Sequence, residues 1–477
     1  MSFAGPSNYQ KFQVLKIKNN NRVEKRVRIE GKIIGVNYYE SVYSPMVTCS
    51  FLQEDTGGTT SNDTSGFAGT LKDTTPIEGF EEVIFEIGTG SGKLKFTNRN
   101  NQCFVIIGSP FNVDDGQKQT AFFPMVSKNA IKNATKPLNT VYPEANISEI
   151  VKKILKDKKG MKLPDKLLDI EKTKNNLKVD GSNQPPLDTI LKLCSKAEPE
   201  DGSDPGFFFF ETQSGYHFKS IQKMIVDGIE AFGEKSDDDR YFETYRYSSL
   251  LEANLDNDEN NYKILKPPVV RRDQDQINAI RNGQYTVRVC TINLQTQEHK
   301  EEIINFDTNK KNTNLGSVIE VDNNPTGEEE RPCKTFTYVL DEGSDNIGVN
   351  SEISNNPSYY EPRAIMKYGL LHAQLVDIQI PCNVELEAGM VIRLLYENIT
   401  QDNKVEHAYN EHRSGFYLIL HLCHHFDTNN SFTSLTLARD GYGLYNSKKW
   451  RKITQILLIL VKKHYMVNMV QSFGLEK

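Results

Sequence analysis

A dense group of metal-ligand side chains lies near the C-terminal end of the chain: His421, Cys423, His424 and His425. Side chains alternate between the two faces of a β-strand, so His421, Cys423 and His425 would share one face. Imidazole and thiolate are ligands that zinc and copper prefer. Successive donors on one strand lie about 7 Å apart, which spans a tetrahedral site poorly without a fourth ligand from elsewhere. The pattern therefore favours a packed or half-exposed strand over a metal centre.

A second candidate for chemistry is the segment 88–93, with the sequence GTGSGK. A phosphate-binding loop requires a glycine where Ile87 stands and a serine or threonine where Leu94 stands. Strand-like residues flank the segment on both sides, and no helix follows it. The segment therefore indicates the glycine-rich turn of a β-hairpin.

Carboxylates are abundant, but they form no recognisable catalytic pair. The acidic runs 237–239, 256–259 and 328–330 are typical of solvated loops, and none has the ordered spacing of a calcium loop. No nucleophile elbow and no HExxH helix occur. A glycosidase pair stays open, because its two carboxylates need not be neighbours in the chain. Glu211 is one candidate acid, although it equally suits a hairpin, and we assign no catalytic, cofactor-binding or metal-binding residue.

Size and composition indicate a multidomain globular protein. The chain has 477 residues, which suggests about three domains. Hydrophobic residues make up 37%, and the net charge of −6 gives no general argument for nucleic-acid binding. The basic runs 11–28 and 448–463 are interpreted as solvated faces.

Cysteine usage indicates a reducing compartment. The seven cysteines are scattered, odd in number and without a CxxC pair, so neither a disulfide framework nor a structural zinc site is expected. The N-terminus has no apolar signal region, and the apolar run 453–461 is too short to span a bilayer. We expect a soluble protein made in a cytoplasm, with no membrane partner. The cysteines are Cys49, Cys103, Cys194, Cys290, Cys333, Cys382 and Cys423.

Residue patterns predict a mainly β protein with α+β insertions, in which two β-rich regions with a shared plan flank a small α+β domain. Residues 1–135 have strand-like patterns and form the first β region, with an exposed Gly/Ser/Thr-rich insertion at 56–75. Residues 240–305 and 361–446 form the second β region. A loop-rich insertion occupies 306–360, and 447–477 is a separate basic C-terminal tail.

The α+β domain is predicted at 136–239. Apolar residues recur at helical spacing over 147–155, with Asn146 or Ser148 as the N-cap, and a second helix begins after Pro185 and Pro186. Two strands around a tight turn follow at 206–220. The four phenylalanines at 207–210 would be costly to expose, so both faces of that strand should be covered.

The C-terminal hairpin carries a resemblance to a known family. The strand 415–426 (GFYLILHLCHHF), a polar turn and the strand 432–441 (FTSLTLARDG) resemble the last barrel hairpin of contractile-tail phage baseplate hub proteins. That group includes the late-control D proteins and the hub part of type VI secretion spikes. Residues 33–42 (IIGVNYYESV) are similar to a strand of the first barrel in this family.

Further matches follow in the same order along the chain. Residues 147–155 (ISEIVKKIL) resemble the first helix of the family's middle domain, and residues 186–197 (PLDTILKLCSKA), followed by the strands at 206–220, resemble its helix and hairpin. Together the matches span about residues 12 to 446. The insertions 56–75 and 309–356 and the basic tail are departures from the family pattern.

The resemblance implies a structural role without catalysis or cofactors. Each family hub subunit has two similar β-barrel, tube-like domains, which the resemblance implies for residues 1–135 and for residues 240–305 with 361–446. Family hubs are homotrimers whose six barrels form a torus, which adapts the sixfold tail tube to the threefold central spike. The implied partners are the spike or lysozyme protein, the tail tube protein and the baseplate wedge proteins, with DNA only as passing cargo. The implied location is the tail baseplate of a virion. Two alternatives remain: a tail-associated glycan hydrolase and a carbohydrate-binding virion protein.

Overall fold

The computed structural model describes most of the chain, and the statements below concern those residues. The described residues are 3–17, 23–57, 77, 79–97, 102–108, 111–234, 244–247, 261–272, 275–294, 297–305, 314–316, 334–340, 357–397, 410 and 412–441. The insertion 56–75, most of 309–356, the tail 447–477 and the three acidic runs lie almost entirely outside them.

The described residues are mainly β, as the sequence predicts. The strands are β1 Asn8–Ile17, β2 Val23–Arg28, β3 Ile33–Ser41, β4 Thr48–Asp55, β5 Glu82–Gly88, β6 Lys93–Phe96, β7 Phe104–Ile106, β8 Phe111–Asp114, β9 Gln119–Ser127, β10 Val141–Asn146, β11 Leu168–Ile170, β12 Asn176–Asp180, β13 Phe207–Glu211, β14 Tyr216–Ser220, β15 Thr244–Tyr247, β16 Val269–Arg272, β17 Thr286–Asn293, β18 His299–Asn305, β19 Lys334–Leu340, β20 Gln374–Pro381, β21 Val391–Tyr396, β22 Gly415–Asp427 and β23 Phe432–Arg439.

Helices are fewer. The α-helices are α1 Lys128–Thr135, α2 Ile147–Lys156, α3 Pro186–Cys194, α4 Ile221–Glu234, α5 Gln276–Arg281 and α6 Pro357–Leu371, with single 3-10 turns at Glu30–Lys32 and Asp165–Leu167. Among the described helices, none combines the length and the apolar composition that a membrane span needs.

Fifteen strands form one continuous sheet. Its main path is β16–β20–β23–β22–β3–β4–β9–β7–β5–β1–β2, and β6, β8, β15 and β21 pair at its sides. The sequence predicts two separate barrels, but the described strands contain no closed barrel and the two β regions share this sheet.

The reason for the shared sheet is the length of β22. Its first residues, 415–418, pair with β21, and its last seven, 421–427, pair antiparallel with β3. A thirteen-residue strand is long enough to bond to two partners in succession along one edge. We call the β3–β22 pairing the seam.

A single aromatic core lies under both β regions. Phe12 stacks on Phe85 at 5.3 Å, and Phe51 stacks on Phe123 at 4.5 Å. Buried side chains of the second region, such as Leu435, belong to the same cluster. The seam is therefore reinforced by shared apolar burial as well as by backbone hydrogen bonds.

The predicted elements between 136 and 220 are present. Helix α2 begins after Asn146, α3 begins at Pro186, and the hairpin β13–β14 follows. The four phenylalanines 207–210 are each at most 7% exposed, because odd members face the α2–α3 core and even members face α4 and the main sheet. The prediction that both faces of β13 are covered is confirmed.

Three smaller sheets lie outside the main one among the described strands: β10–β12, β11–β14–β13 and a third, which packs on α6. The strand order of this third sheet is β18–β17–β19, and it packs on α6 through Val287, Val289, Ile304 and Met366. Helix α5 ends before Gly283, which has a φ of +70°. Helix α6 contains Pro362 in its interior, which obscures its helical pattern in the sequence.

Candidate functional site

The polar turn between β13 and β14 contacts both β regions. Thr212 and Gly215 close it with reciprocal backbone hydrogen bonds of 2.8 and 3.3 Å. Gly215 has a φ of +144°, and a Cβ there would lie 2.4 Å from the carbonyl oxygen of Leu167. Only glycine fits this close approach without displacing the backbone. We call the turn and the carboxylates around it the junction.

Glu40 is the buried centre of the junction. It extends from β3 on the same face as Val36 and Tyr38, and it is 3% exposed. Its carboxylate accepts hydrogen bonds from the Tyr38 hydroxyl at 2.7 Å and from the backbone N–H groups of Gln213 and Ala388 at 2.8 Å each. Burial and the nearby Glu387 raise the pKa of Glu40 to about 8. One side chain therefore connects β3, the hairpin turn and the turn before β21.

Glu387 lies on the solvent side of Glu40. Its Oε2 accepts hydrogen bonds from the hydroxyls of Thr212 at 2.7 Å and Ser214 at 2.6 Å. The Ser214 hydroxyl also lies 3.2 Å from His217 Nε2, and His217 Nδ1 lies 3.2 Å from Asp169 Oδ2. Serine, histidine and aspartate in this order have the connectivity of a hydrolase triad.

Local hydrogen bonding opposes nucleophilic catalysis at Ser214. Its hydroxyl donates to Glu387, and a carboxylate beside a nucleophile would repel an oxyanion. The N–H groups of the turn are already used: Gln213 donates to Glu40, Ser214 to the Thr212 hydroxyl and Gly215 to the Thr212 carbonyl. An oxyanion hole needs free N–H donors, which this turn does not supply. The hydrogen bonds of this turn hold strands and turns together, and they do not prepare Ser214 to react.

Asp169 anchors the outer end of the junction. It lies on β11, and its carboxylate is 2.7 Å from Lys219 Nζ in addition to its contact with His217. Burial raises the pKa of Asp169, but the hydrogen bonds from His217 and Lys219 outweigh burial and bring that pKa to about 2. Asp169 therefore stays ionised across the ordinary pH range.

Glu211 is unsuited to glycan hydrolysis. It is 5% exposed, and its carboxylate accepts hydrogen bonds from the Val47 N–H at 3.1 Å and the Asn129 amide at 3.3 Å. Burial raises the pKa of this carboxyl. A general acid must reach a glycosidic oxygen, whereas Glu211 faces the interface between β13, β4 and α1. The structure assigns it to that interface.

The histidine cluster of β22 is divided between the two faces of its strand. His424 is fully buried and lies 2.8 Å from the Thr433 hydroxyl, and burial lowers its pKa to about 3. His421, Cys423 and His425 point to the opposite face, as predicted. Among the described residues, these three do not bring their donor atoms within 4.8 Å of one another.

The segment 88–93 forms the predicted hairpin turn. Gly88 pairs with Lys93 between β5 and β6, and the Thr89 N–H donates to the Gly92 carbonyl at 2.8 Å. The Ser91 hydroxyl donates to the Cys382 carbonyl at 2.8 Å. The turn thus joins the N-terminal β region to the turn between β20 and β21.

An open groove of about 510 Å³ lies on the solvent side of the seam. Its walls come from β3, β20, β22 and β23 and from residues 266–271. Tyr39, His421 and Cys423 line its floor, and Arg271 forms an ion pair with Asp377 at its rim.

Comparisons with known proteins return structural neighbours only. No family model matches the chain, and no curated protein matches it. A tail protein from Neisseria meningitidis MC58 aligns with a TM-score of 0.48 and 9% identity over 92% of this chain and 96% of that one. The 43 kDa tail protein of prophage MuSo2 from Shewanella oneidensis gives a TM-score of 0.47 and 8% identity over 90% and 98%.

A chain of the Francisella PdpA-VgrG complex aligns with a TM-score of 0.45 and 8% identity over 91% of this chain and 53% of that one. Two of these neighbours are described as tail proteins, one of them from a prophage, and the third belongs to a PdpA-VgrG complex. With TM-scores below 0.5 and identities below 10%, they do not by themselves establish a family.

The junction was not predicted from the sequence. Residues 216–220 were predicted only as a strand, and no contact was predicted between Asp169, His217 and Glu387. A signal was present at Glu40, which shares the apolar face of an alternating strand with Val36 and Tyr38. A charged residue on a buried face indicates a hydrogen-bonded site.

Proposed function

We propose that the chain is a structural subunit of a contractile phage tail, specifically the baseplate hub. In this role three copies form a torus that adapts a sixfold tail tube to a threefold central spike. The observation that carries the proposal is the seam. Two segments that separately resemble hub strands, 33–42 and 415–426, pair with each other in one sheet.

The hydrogen bonds of the junction are consistent with a structural role. Glu40 and Glu387 accept hydrogen bonds from the turn of the β13–β14 hairpin. Glu40 lies on β3 and also accepts the Ala388 N–H, so these bonds connect the hairpin to both the N-terminal and the C-terminal part of the chain. A buried N–H donor that loses its acceptor is costly, so these hydrogen bonds hold the connected elements in a fixed arrangement. A subunit held rigid in this way suits a ring that must keep its symmetry while adjoining parts move.

The proposed partners are two further copies of the chain, the tail tube protein, the central spike or lysozyme protein and the surrounding wedge proteins. DNA passes only as cargo through the lumen, and the location is the tail baseplate of a virion assembled in a host cytoplasm. Heterologous contacts close into a ring when the rotation between copies suits. The two β regions would supply the six repeating units of that ring.

The proposal is tested by the mass and shape of the purified full-length chain. Light scattering should give three times the 54.3 kDa subunit mass, and negative-stain images should show a ring with a central opening. A monomer that also fails to form a ring with tube and spike proteins from the same source would overturn the hub assignment.

The same preparation distinguishes the hub from the two alternatives, a glycan hydrolase and a carbohydrate-binding virion protein. Incubated with purified peptidoglycan, it should release no soluble fragments, and on a glycan array it should retain no sugar. The burial of Glu211 opposes the hydrolase alternative. Turnover of peptidoglycan by the isolated chain would favour the hydrolase, and selective glycan retention would favour the carbohydrate-binding protein.

A further inference from the structure

Three side chains of metal-ligand type lie together on the face of the β18–β17–β19 sheet that points away from α6. Cys290 on β17 pairs directly with Glu301 on β18, and His299 lies two residues before Glu301 on the same face. The donor atoms of the three side chains all lie within 4.8 Å of one another. Among the described residues, this is the one such group.

We propose that Cys290, His299 and Glu301 form a binding site for a divalent transition metal of the zinc class. A thiolate, an imidazole and a carboxylate are each established zinc ligands, and Cys290 loses its proton when it binds. Calcium and magnesium are disfavoured, because they prefer oxygen ligands alone. The site differs from the β22 cluster that the sequence first suggested.

The geometry requires only small side-chain movements. Zinc bonds of about 2.0 to 2.3 Å at tetrahedral angles place ligand atoms roughly 3.5 Å apart. The side chains of His299 and Glu301 are 48% and 56% exposed, and their nearest atoms are already 3.6 Å apart. They can rotate toward Cys290, which is 9% exposed and held in the middle strand. Three protein ligands leave the fourth position to water or to a donor from a neighbouring protein.

The position of the site gives the metal a structural task. Strand β18 is an edge strand, and only Ile304 among its seven residues is buried. Apolar burial therefore contributes little to holding β18 in place. A metal that bridges Cys290 on β17 to His299 and Glu301 on β18 would hold this edge strand against β17.

Cobalt(II) is the probe for the test, because a cobalt–thiolate bond produces a charge-transfer absorption. The reduced full-length chain should bind one cobalt per subunit with this absorption, and zinc should displace it. Cys290→Ser should abolish the band, and His299→Ala should weaken binding at least about tenfold, the smallest loss typical even of outer-shell partners. Glu301→Gln should also weaken cobalt binding.

The matched control is Cys423→Ser, which removes the thiol of the β22 cluster and leaves the proposed site intact. It should retain the cobalt band at full intensity. The proposal is wrong if the wild type shows no thiolate band, if Cys290→Ser keeps it, or if Cys423→Ser removes it. Hydrogen exchange gives a second readout, in which zinc should slow exchange in β18 of the wild type and not of His299→Ala.

Discussion

The Glu40 carboxylate accepts a hydrogen bond of 2.8 Å from the backbone N–H of Ala388, a residue 348 positions further along the chain. This contact joins a strand of the N-terminal β region to the turn that precedes β21. The same carboxylate also accepts a hydrogen bond from the backbone N–H of Gln213, in the turn of the β13–β14 hairpin. Three parts of the chain that are remote in sequence therefore depend on one buried side chain.

Replacing Glu40 with alanine should destabilise the protein substantially. The change leaves the buried Tyr38 hydroxyl, the buried Ala388 N–H and the half-buried Gln213 N–H without their acceptor, which we expect to cost about 3 kcal/mol in the free energy of unfolding. Chemical denaturation followed by tyrosine fluorescence would measure the loss. Glu54→Ala is the control, because Glu54 is 39% exposed and forms a surface ion pair with Lys118. Equal losses in the two variants would contradict the role of Glu40.

Gly215 should tolerate no side chain. Gly215→Ala would place its Cβ 2.4 Å from the Leu167 carbonyl oxygen in a strained backbone conformation, so a loss of about 2 to 4 kcal/mol is expected. Gly108→Ala is the control, because a Cβ at Gly108 would meet no atom of the described residues within 4 Å. Thermal melts of the two variants should differ clearly, and similar melting temperatures would show that the turn relaxes at little cost.

Acid stability should depend on His424. Burial lowers the pKa of His424 from 6.5 to about 3, so between these values the unfolded chain binds a proton that the folded chain does not. Stability is therefore lost as the pH falls from 6.5 toward 3, by up to about 1.4 kcal/mol per pH unit.

The variant His424→Asn should be less stable at pH 7 and should lose less additional stability between pH 6.5 and 4. Denaturation at several pH values measures this slope. Asn429→Ala, in the exposed turn of the same hairpin, should keep the slope of the wild type. An unchanged slope in His424→Asn would show that other groups control acid unfolding.

Local patterns predicted the local elements. The β22–β23 hairpin follows from alternation in 432–438 and a polar turn, and α2 follows from apolar spacing at 147–155. The seam could not be predicted in this way, because the pairing of β3 with β22 depends on the register of strands far apart in sequence. The junction was missed for the same reason.

The buried pair Lys367 and Asp440 should be coupled energetically. Both side chains are 1% exposed, with 3.8 Å between Lys367 Nζ and Asp440 Oδ2, and Asp440 Oδ1 accepts the Leu315 N–H at 2.8 Å. Asp440→Ala leaves a buried ammonium without this carboxylate, so a loss of about 3 to 5 kcal/mol is expected. Adding Lys367→Met to Asp440→Ala should recover part of that loss, because it removes the uncompensated charge.

A matched surface pair provides the reference for this double-mutant cycle. Lys172 and Glu200 are separated by the same 3.8 Å, but their side chains are 76% and 62% exposed. Solvent screens an exposed pair, so its coupling should be below about 1 kcal/mol. If the two cycles give equal coupling energies, burial does not strengthen the Lys367–Asp440 interaction. If the buried pair couples strongly, the ion pair fixes the end of β23 against α6.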